Sequence, residues 1–223
     1  MTIDYLSAFI IGLLGAGHCI AMCGGVSGML LSALPQQSQH AKWPLILGYN
    51  IGRIASYSLI GAIVGFSSSL AAKTAGVPLN GLRLVSGIFL ILLGLYLGQW
   101  LFLLTKIEQA GKLLWRHIAP LANHALPVDS VKKAVMLGAI WGWLPCGLVY
   151  STLTWSLASG NALDGALIMA AFGLGTLPAL ISLSVGVFSV KKLLQSIIFR
   201  KSMAFLVIIY GIYTVLVAYQ AMF

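Results

Sequence analysis

Long apolar runs separated by short polar connections are the feature that most constrains this fold. A helix that crosses a bilayer needs about 20 largely apolar residues, because unpaired backbone groups cannot be left in the hydrocarbon core. The runs that meet this length are 5–33, 44–70, 82–104, 134–158, 163–189 and 203–222. Only 8% of the 223 residues are charged, so the chain cannot cover itself with polar surface. The pattern predicts an all-α integral membrane protein with six transmembrane helices.

The basic residues predict the orientation, since cytoplasmic connections close to helix ends are enriched in Lys and Arg. The opposite side holds only Lys73 and Arg83. We therefore expect a protein of the bacterial inner membrane with both termini on the periplasmic side. The net charge of +9 is expected to face anionic lipid and not nucleic acid. The connections after the first, third and fifth runs hold ten basic residues: Lys42, Lys106, Lys112, Arg116, Lys132, Lys133, Lys191, Lys192, Arg200 and Lys201.

The two halves of the chain share short motifs in the same order. The matches pair Gly15-Ala16-Gly17-His18-Cys19 with Gly142-Trp143-Leu144-Pro145-Cys146, Tyr49-Asn50-Ile51-Gly52-Arg53 with Phe172-Gly173-Leu174-Gly175-Thr176, and Gly94-Leu95-Tyr96 with Gly211-Ile212-Tyr213. Three spans is an odd number, so the second copy would enter the membrane from the other side. We expect one transmembrane domain, 1–223, built as two inverted three-helix repeats at about 5–104 and 134–222, with a cytoplasmic connection at about 105–133. Such folds place their site at the repeat interface, so Cys19 and Cys146 are expected to approach each other.

The densest group of reactive side chains lies in the first run, at His18, Cys19, Met22 and Cys23. Residues four apart share a helix face, which brings thiol, thioether and imidazole groups together. These are ligands for soft ions such as Cu(I), and they offer nothing to Mg²⁺ or Ca²⁺. The alternative is that the cysteines and the methionine are small packing residues of a membrane helix. The glycines that follow, Gly24 and Gly25, are expected to let the helix bend or another group approach.

A second group surrounds Cys146. Pro145 removes a backbone donor and is expected to kink or open the helix there, while Gly147 leaves room beside the thiol. Pro178 gives the fifth span a similar flexible point. Arg53 lies near the start of the second run, and we interpret it as reaching back to the membrane interface.

Signatures of soluble enzymes are absent from the sequence. It has no phosphate-binding loop and no dinucleotide fingerprint. The four acidic residues, Asp4, Glu108, Asp129 and Asp164, all fall in connections or near span ends. A proton-coupled transporter that uses a buried carboxylate is therefore not expected.

Three motifs carry a family resemblance that covers nearly the whole chain. They are Gly-His-Cys-x-x-Met-Cys-Gly-Gly at 17–25, Tyr-Asn-Ile-Gly-Arg at 49–53 and Leu-Pro-Cys-Gly at 144–147. With them the chain resembles the cytochrome c biogenesis transmembrane region, related to the DsbD/CcdA thiol–disulfide conduits, in a branch often labelled sulfite exporter or urease accessory-like. The resemblance implies that Cys19 and Cys146 form a reversible disulfide that carries reducing equivalents from cytoplasmic thioredoxin to a periplasmic thiol acceptor.

Three functions follow from these patterns. The first is a transmembrane thiol–disulfide oxidoreductase for cytochrome c or respiratory oxidase maturation, which uses both halves of the repeat. The second is a carrier or chaperone that hands Cu(I) to an acceptor in oxidase assembly. It is favoured because the chain lacks the proline beside Cys19 that typical conduits have, and adds His18, Met22 and Cys23. The third, export of sulfite or another anion, rests on the branch label and the basic inner surface.

Overall fold

The computed structural model describes residues 4–16, 39–75, 79–100, 116, 120, 128–144, 146–184 and 196–220. These residues contain helices and no strand, which confirms the all-α prediction for this part of the chain. Seven helices lie within the described ranges: α1 (Asp4–Leu14), α2 (Gln39–Ala75), α3 (Leu79–Leu97), α4 (Val131–Trp141), α5 (Gly147–Ser159), α6 (Ala162–Ser184) and α7 (Ile197–Gln220).

Several helices have the length and hydropathy to cross a membrane. Among the described residues, three stretches do so: Trp43–Leu70 in α2, Ala162–Ser184 and Ile197–Gln220. Two shorter apolar helices, Tyr5–Leu14 and Leu84–Leu97, accompany them. The protein is therefore an integral membrane protein, while the six-span layout stays a prediction.

The long helix α2 has large apolar side chains on its exposed face and several polar side chains on its buried face. Its exposed side chains at spacings of three, four or eight residues form one continuous apolar stripe: Ile51, Leu59, Ile63, Phe66 and Leu70. Its buried side chains include Asn50, Arg53, Ser56 and Ser68. A soluble helix shows the opposite arrangement, so this distribution fits a helix with one face in lipid.

The fourth predicted span, 134–158, is two helices and not one. After α4 ends at Trp141, the Trp143 and Leu144 N–H groups bond to carbonyls three residues back, as a helix does when it tightens at its end. Cys146 then adopts an extended backbone with φ −133° and ψ 149°, and α5 begins at Gly147. The sequence predicted a kink or an opening beside Cys146, and the structure has an opening.

The other span ends also differ from the prediction. The third run was expected to extend to 104, but α3 ends at Leu97 and a turn follows in which Gln99 has a φ of 61°. The sixth helix was expected from 203, and α7 already begins at Ile197. Between α5 and α6 the chain turns within Gly160 and Asn161, because Gly160 takes the left-handed conformation that ends many helices.

The helices pack in reciprocal pairs. α2 packs on α6 and α3 packs on α7, while α1 lies against α6 and α4 lies against α2. The closest approaches repeat the same geometry. Between α1 and α6, Gly12 approaches the Phe172 carbonyl and Gly175 approaches the Phe9 carbonyl. Between α4 and α2, Gly138 approaches the Tyr49 carbonyl and Gly52 approaches the Val135 carbonyl in the same way. On the other side, Gly94 lies against Ile208 and the Ala204 carbonyl, and Gly211 lies against Ile91 and the Gly87 carbonyl.

Candidate functional site

Most of the predicted site lies outside the described residues. This applies to His18, Cys19, Met22, Cys23, Gly24 and Gly25, and also to Pro145. The prediction of a soft-metal cluster in the first run, and of a Cys19–Cys146 pair, therefore stays a prediction. Within the described ranges there is no group of three or more His, Cys, Asp or Glu side chains that could hold a metal ion.

Cys146 is the predicted reactive residue that the structure does describe. Its thiol is 7% exposed at the N-cap position of α5, and its side chain forms no capping hydrogen bond. It belongs to a buried apolar cluster with Tyr57, Leu148 and Phe172 among its members. A helix N-terminus carries partial positive charge from its unpaired N–H groups. The position thus suits an anionic sulfur ligand in an otherwise apolar interior.

Arg53 does not reach the membrane interface, and the snorkelling interpretation was wrong. Its side chain is 0% exposed, and it donates a hydrogen bond to Oγ1 of Thr176 on α6. The guanidinium carbon lies 5.5 Å from the ring centroid of Tyr57, a distance at which a cation is attracted to the ring face. The physical reason is that Arg53 is fourteen residues, about 21 Å, into α2, on the face that packs against α6.

Asn50 adds a second buried polar group on the same face of α2. It is 2% exposed, and its Nδ2 donates to the Ile46 carbonyl at 2.8 Å. Its Oδ1 has no hydrogen-bond partner among the residues that the structure describes. Buried polar atoms are nearly always hydrogen-bonded, so this oxygen marks a place where a water or a ligand would complete the interior. We call Asn50, Arg53, Tyr57 and Thr176 the α2–α6 polar cluster.

The opening beside Cys146 lies next to this polar cluster. A Cβ on Gly142 would be 2.6 Å from Cβ of Ser56 and 3.2 Å from the Arg53 carbonyl oxygen. Ser56 donates to the Ala139 carbonyl at 2.8 Å, which ties α2 to the last turn of α4. Tyr57 touches both regions, because it contacts the Arg53 guanidinium and belongs to the apolar cluster that contains Cys146.

The remaining predicted positions are less distinctive. Gly147 is the first residue of α5, directly after Cys146. Pro178 lies inside α6, which is assigned as one helix across it. Sequence reasoning gave the polar cluster no role, although Asn50, Arg53 and Tyr57 follow the three-and-four spacing of one helix face. That spacing inside an apolar run was the signal that could have found it.

A polytopic membrane protein with an interrupted helix and a buried polar interior is thus defined by the structure. The chain belongs to the family described as the cytochrome C biogenesis protein transmembrane region, whose model matches residues 7–213. The resemblance seen in the sequence motifs is therefore confirmed at the level of the family.

One curated relative gives a second comparison. A protein of Methanocaldococcus jannaschii, provisionally named a nickel/cobalt efflux system, is 24% identical over 219 residues, which is 94% of this chain and 91% of the relative. No solved structure matches the chain.

Proposed function

We propose that this protein moves a thiophilic transition-metal ion, with Cu(I) as the best chemical fit, through the interior of its membrane domain. The observation that carries the proposal is the position of Cys146: a buried thiol at a helix N-terminus, in the break between α4 and α5. Interrupted helices whose ends point at the bilayer interior are the usual substrate sites of membrane transporters. A thiol at that point selects soft ions.

The reciprocal packing supports a site shared between the two halves. Gly52 and Gly175, Gly94 and Gly211, and Tyr49 and Phe172 make matching contacts, as expected for two inverted repeats related by an in-plane axis. Arg53 and Thr176 are matched positions too, and they bond to each other. In that arrangement the first spans of the two halves would meet each other at the two-fold axis. Cys19 would then reach the depth of Cys146, with His18, Met22 and Cys23 as further ligands.

The relative in Methanocaldococcus jannaschii supports metal transport as the class of activity. Its name refers to nickel and cobalt, whereas the cysteine, methionine and histidine side chains of this chain favour a softer ion. Cu(I) released on the periplasmic side would suit the maturation of a respiratory oxidase, and a periplasmic copper acceptor would then be the partner.

Thiol–disulfide transfer is the second candidate, and family membership favours it. Here Cys19 and Cys146 would alternate between a disulfide and two thiols. Cytoplasmic thioredoxin would be the reductant and a periplasmic disulfide the acceptor, through mixed disulfides. Export of sulfite or another anion is a weaker alternative, which the buried Arg53 cation supports.

The test is to purify the reduced protein, load it with Cu(I) against a competing chelator, and count bound copper and free thiols on the same sample. We expect one copper per chain, lost in Cys146→Ser and in Cys19→Ser. Met136→Leu is the matched control, because Met136 is a thioether on α4 that is 42% exposed. A Cys19–Cys146 disulfide in the air-oxidised protein, together with no copper in the reduced one, would favour electron transfer instead.

A further inference from the structure

A cavity lies where α3 ends and α7 begins. The contact of these helices is antiparallel, because Gly94, near the end of α3, lies against Ala204 and Ile208, near the start of α7. The cavity at this end of the contact has a volume of about 290 Å³. We call it the α3–α7 cavity, and its lining residues are Gly98, Gln99, Trp100, Ile197 and Lys201.

An unusual turn forms the α3 side of this cavity. The Trp100 N–H bonds to the Leu95 carbonyl at 2.9 Å, as in helices that end in a left-handed residue. That residue is usually glycine, but here it is Gln99, with a φ of 61°. A Cβ on the neighbouring Gly98 would lie 2.7 Å from the Trp100 ring. The turn thus folds the indole back onto the helix end and places Gln99 at the cavity, in a conformation that is strained for a residue with a side chain.

The α7 side of the cavity carries positive charge. Lys201 lies in the second turn of α7 and is exposed, and within the part of the chain that the structure describes it makes no hydrogen bond or ion pair. Ile197, the first residue of α7, also lines the cavity, so the positive end of the helix dipole lies there as well. An anion is therefore the ligand that this side favours.

The surroundings of the cavity are apolar. Ile197 and Ile198 are exposed, and α7 has the length and hydropathy to cross a membrane. Trp100 is half-exposed at the end of α3, and tryptophan is typical of the interface between membrane and water. Exposed apolar side chains continue from Lys201 along α7 at spacings of three or four residues: Phe205, Ile209, Ile212 and Leu216. A cation beside an interfacial tryptophan, with an apolar stripe leading away from it, is complementary to the phosphate and acyl chains of a phospholipid.

We infer that the α3–α7 cavity binds an anionic phospholipid, with its phosphate at Lys201 and Gln99 and its acyl chains along α7. An anionic lipid is favoured over a zwitterionic one, because the described lining residues supply a cation and no carboxylate for a choline or ethanolamine group. The predicted topology puts this end of the helices in the cytoplasmic leaflet, where anionic lipids are concentrated. The bound lipid would bridge α3 and α7, whichever substrate the protein moves.

The test measures lipid binding to the delipidated full-length protein in a neutral detergent by native mass spectrometry. Phosphatidylglycerol and phosphatidylcholine are the probes, and we expect the wild type to bind the first about fivefold more tightly or better. Lys201→Gln should remove about this factor, which corresponds to one basic residue beside an anionic lipid. Lys132→Gln is the matched control, because Lys132 is also exposed near the start of a helix and does not line this cavity. It should change the affinity by less than about twofold.

Gln99→Gly separates binding from folding. Glycine adopts the left-handed conformation without strain, so stability in the absence of lipid should stay the same or rise. The affinity for phosphatidylglycerol should fall by about threefold or more, because a hydrogen bond to the phosphate is lost. Equal losses in Lys201→Gln and Lys132→Gln would show an effect of net charge alone and overturn the inference. A wild type without preference for phosphatidylglycerol overturns it too, and so does full competition by glycerol phosphate, which would assign the cavity to a soluble phosphate.

Discussion

Cys146 occupies a helix position that serine fills better than cysteine. It is the N-cap of α5, and its thiol makes no capping hydrogen bond. Serine is among the preferred N-cap residues, because its hydroxyl accepts a hydrogen bond from an N–H of the first turn. The presence of cysteine there is therefore not explained by helix stability, which points to the chemistry of the sulfur.

This contrast gives a prediction for Cys146→Ser. We expect copper binding to be lost while thermal stability stays within about 1 kcal/mol of the wild type or rises, because the hydroxyl can cap α5. Cys146→Ala is the control: it removes the sulfur without supplying a cap, so it should lose copper and also lower stability by about 1 kcal/mol. Thermal unfolding in detergent and copper titration measure the two effects. A strongly destabilised serine variant would show that Cys146 is a packing residue.

The polar residues of α2 show what the sequence can and cannot reveal at this scale. The spacing of Asn50, Arg53 and Tyr57 on one helix face is visible in the sequence. The partner of Arg53 is 123 positions away on α6, and nothing local to either residue indicates it. An arginine about nine residues inside the predicted span could equally have reached the interface, and only the packing of α2 on α6 decides between the two positions.

At the level of elements, the opening in the fourth span was the part of the site best anticipated by sequence. Pro145 predicted it, because a proline inside a helix removes one hydrogen bond and clashes with the preceding turn. The end of α3 at Leu97 was not anticipated, because the apolar run continues to Leu104. Hydropathy gives the length of an apolar run and does not indicate where the backbone turns.

Glycines also determine how closely the helices pack against each other. The contact of α4 with α2 allows a matched test of this. A Cβ on Gly138 would overlap the Tyr49 carbonyl, which is backbone and cannot rotate away. A Cβ on Gly48, in the same helix pair, would lie 3.2 Å from Val131 Cγ1 and 3.3 Å from the Val131 carbonyl oxygen, so a shift of a few tenths of an ångström would accommodate it. Gly138→Ala should thus lower stability by about 2 kcal/mol or more, and Gly48→Ala by less than about 1 kcal/mol. Unfolding in a denaturing detergent ranks them, and equal effects would contradict the contact.

For the whole molecule, the reciprocal contacts are the clearest indication of how the halves relate. Sequence matching paired Gly52 with Gly175 and Gly94 with Gly211, and these residues make corresponding contacts. For the first spans the motif aligned Gly15 with Gly142, but packing pairs Gly12 with Gly138, which is a shift of one residue. Short glycine motifs are too frequent in membrane helices to fix register to a single residue.

An inverted repeat predicts that symmetric pairs behave alike. Cysteine pairs at Ile91 and Gly211, and at Gly94 and Ile208, should form disulfides at similar rates in a background without Cys19, Cys23 and Cys146. Each pair joins α3 and α7 at a matching close contact, because a Cβ on Gly94 would overlap Ile208 and a Cβ on Gly211 would overlap Ile91. Single-cysteine variants are the controls, since they cannot close an intramolecular bond. One pair that closes rapidly beside another that does not close would argue against the two-fold relation.

The distribution of basic residues predicts how the molecule sits in its membrane. Ten Lys and Arg residues follow the first, third and fifth predicted spans and two lie on the other side, so retention of positive charge in the cytoplasm predicts that both termini lie outside. In the described part of the chain, Lys132, Lys133 and Lys201 are near helix ends, as the rule requires.

A periplasm-active reporter fused after Phe223 should be active, and one inserted in the 105–133 connection should be inactive. A reporter that is active only in the cytoplasm should give the reverse result at both sites, which controls for poor expression. Changing Lys191, Lys192, Arg200 and Lys201 to glutamine should weaken this bias by leaving part of the population with the C-terminus inside. A wild-type C-terminus in the cytoplasm would imply an odd number of spans if the N-terminus is outside, and the inverted repeat could not then account for the packing of α3 on α7.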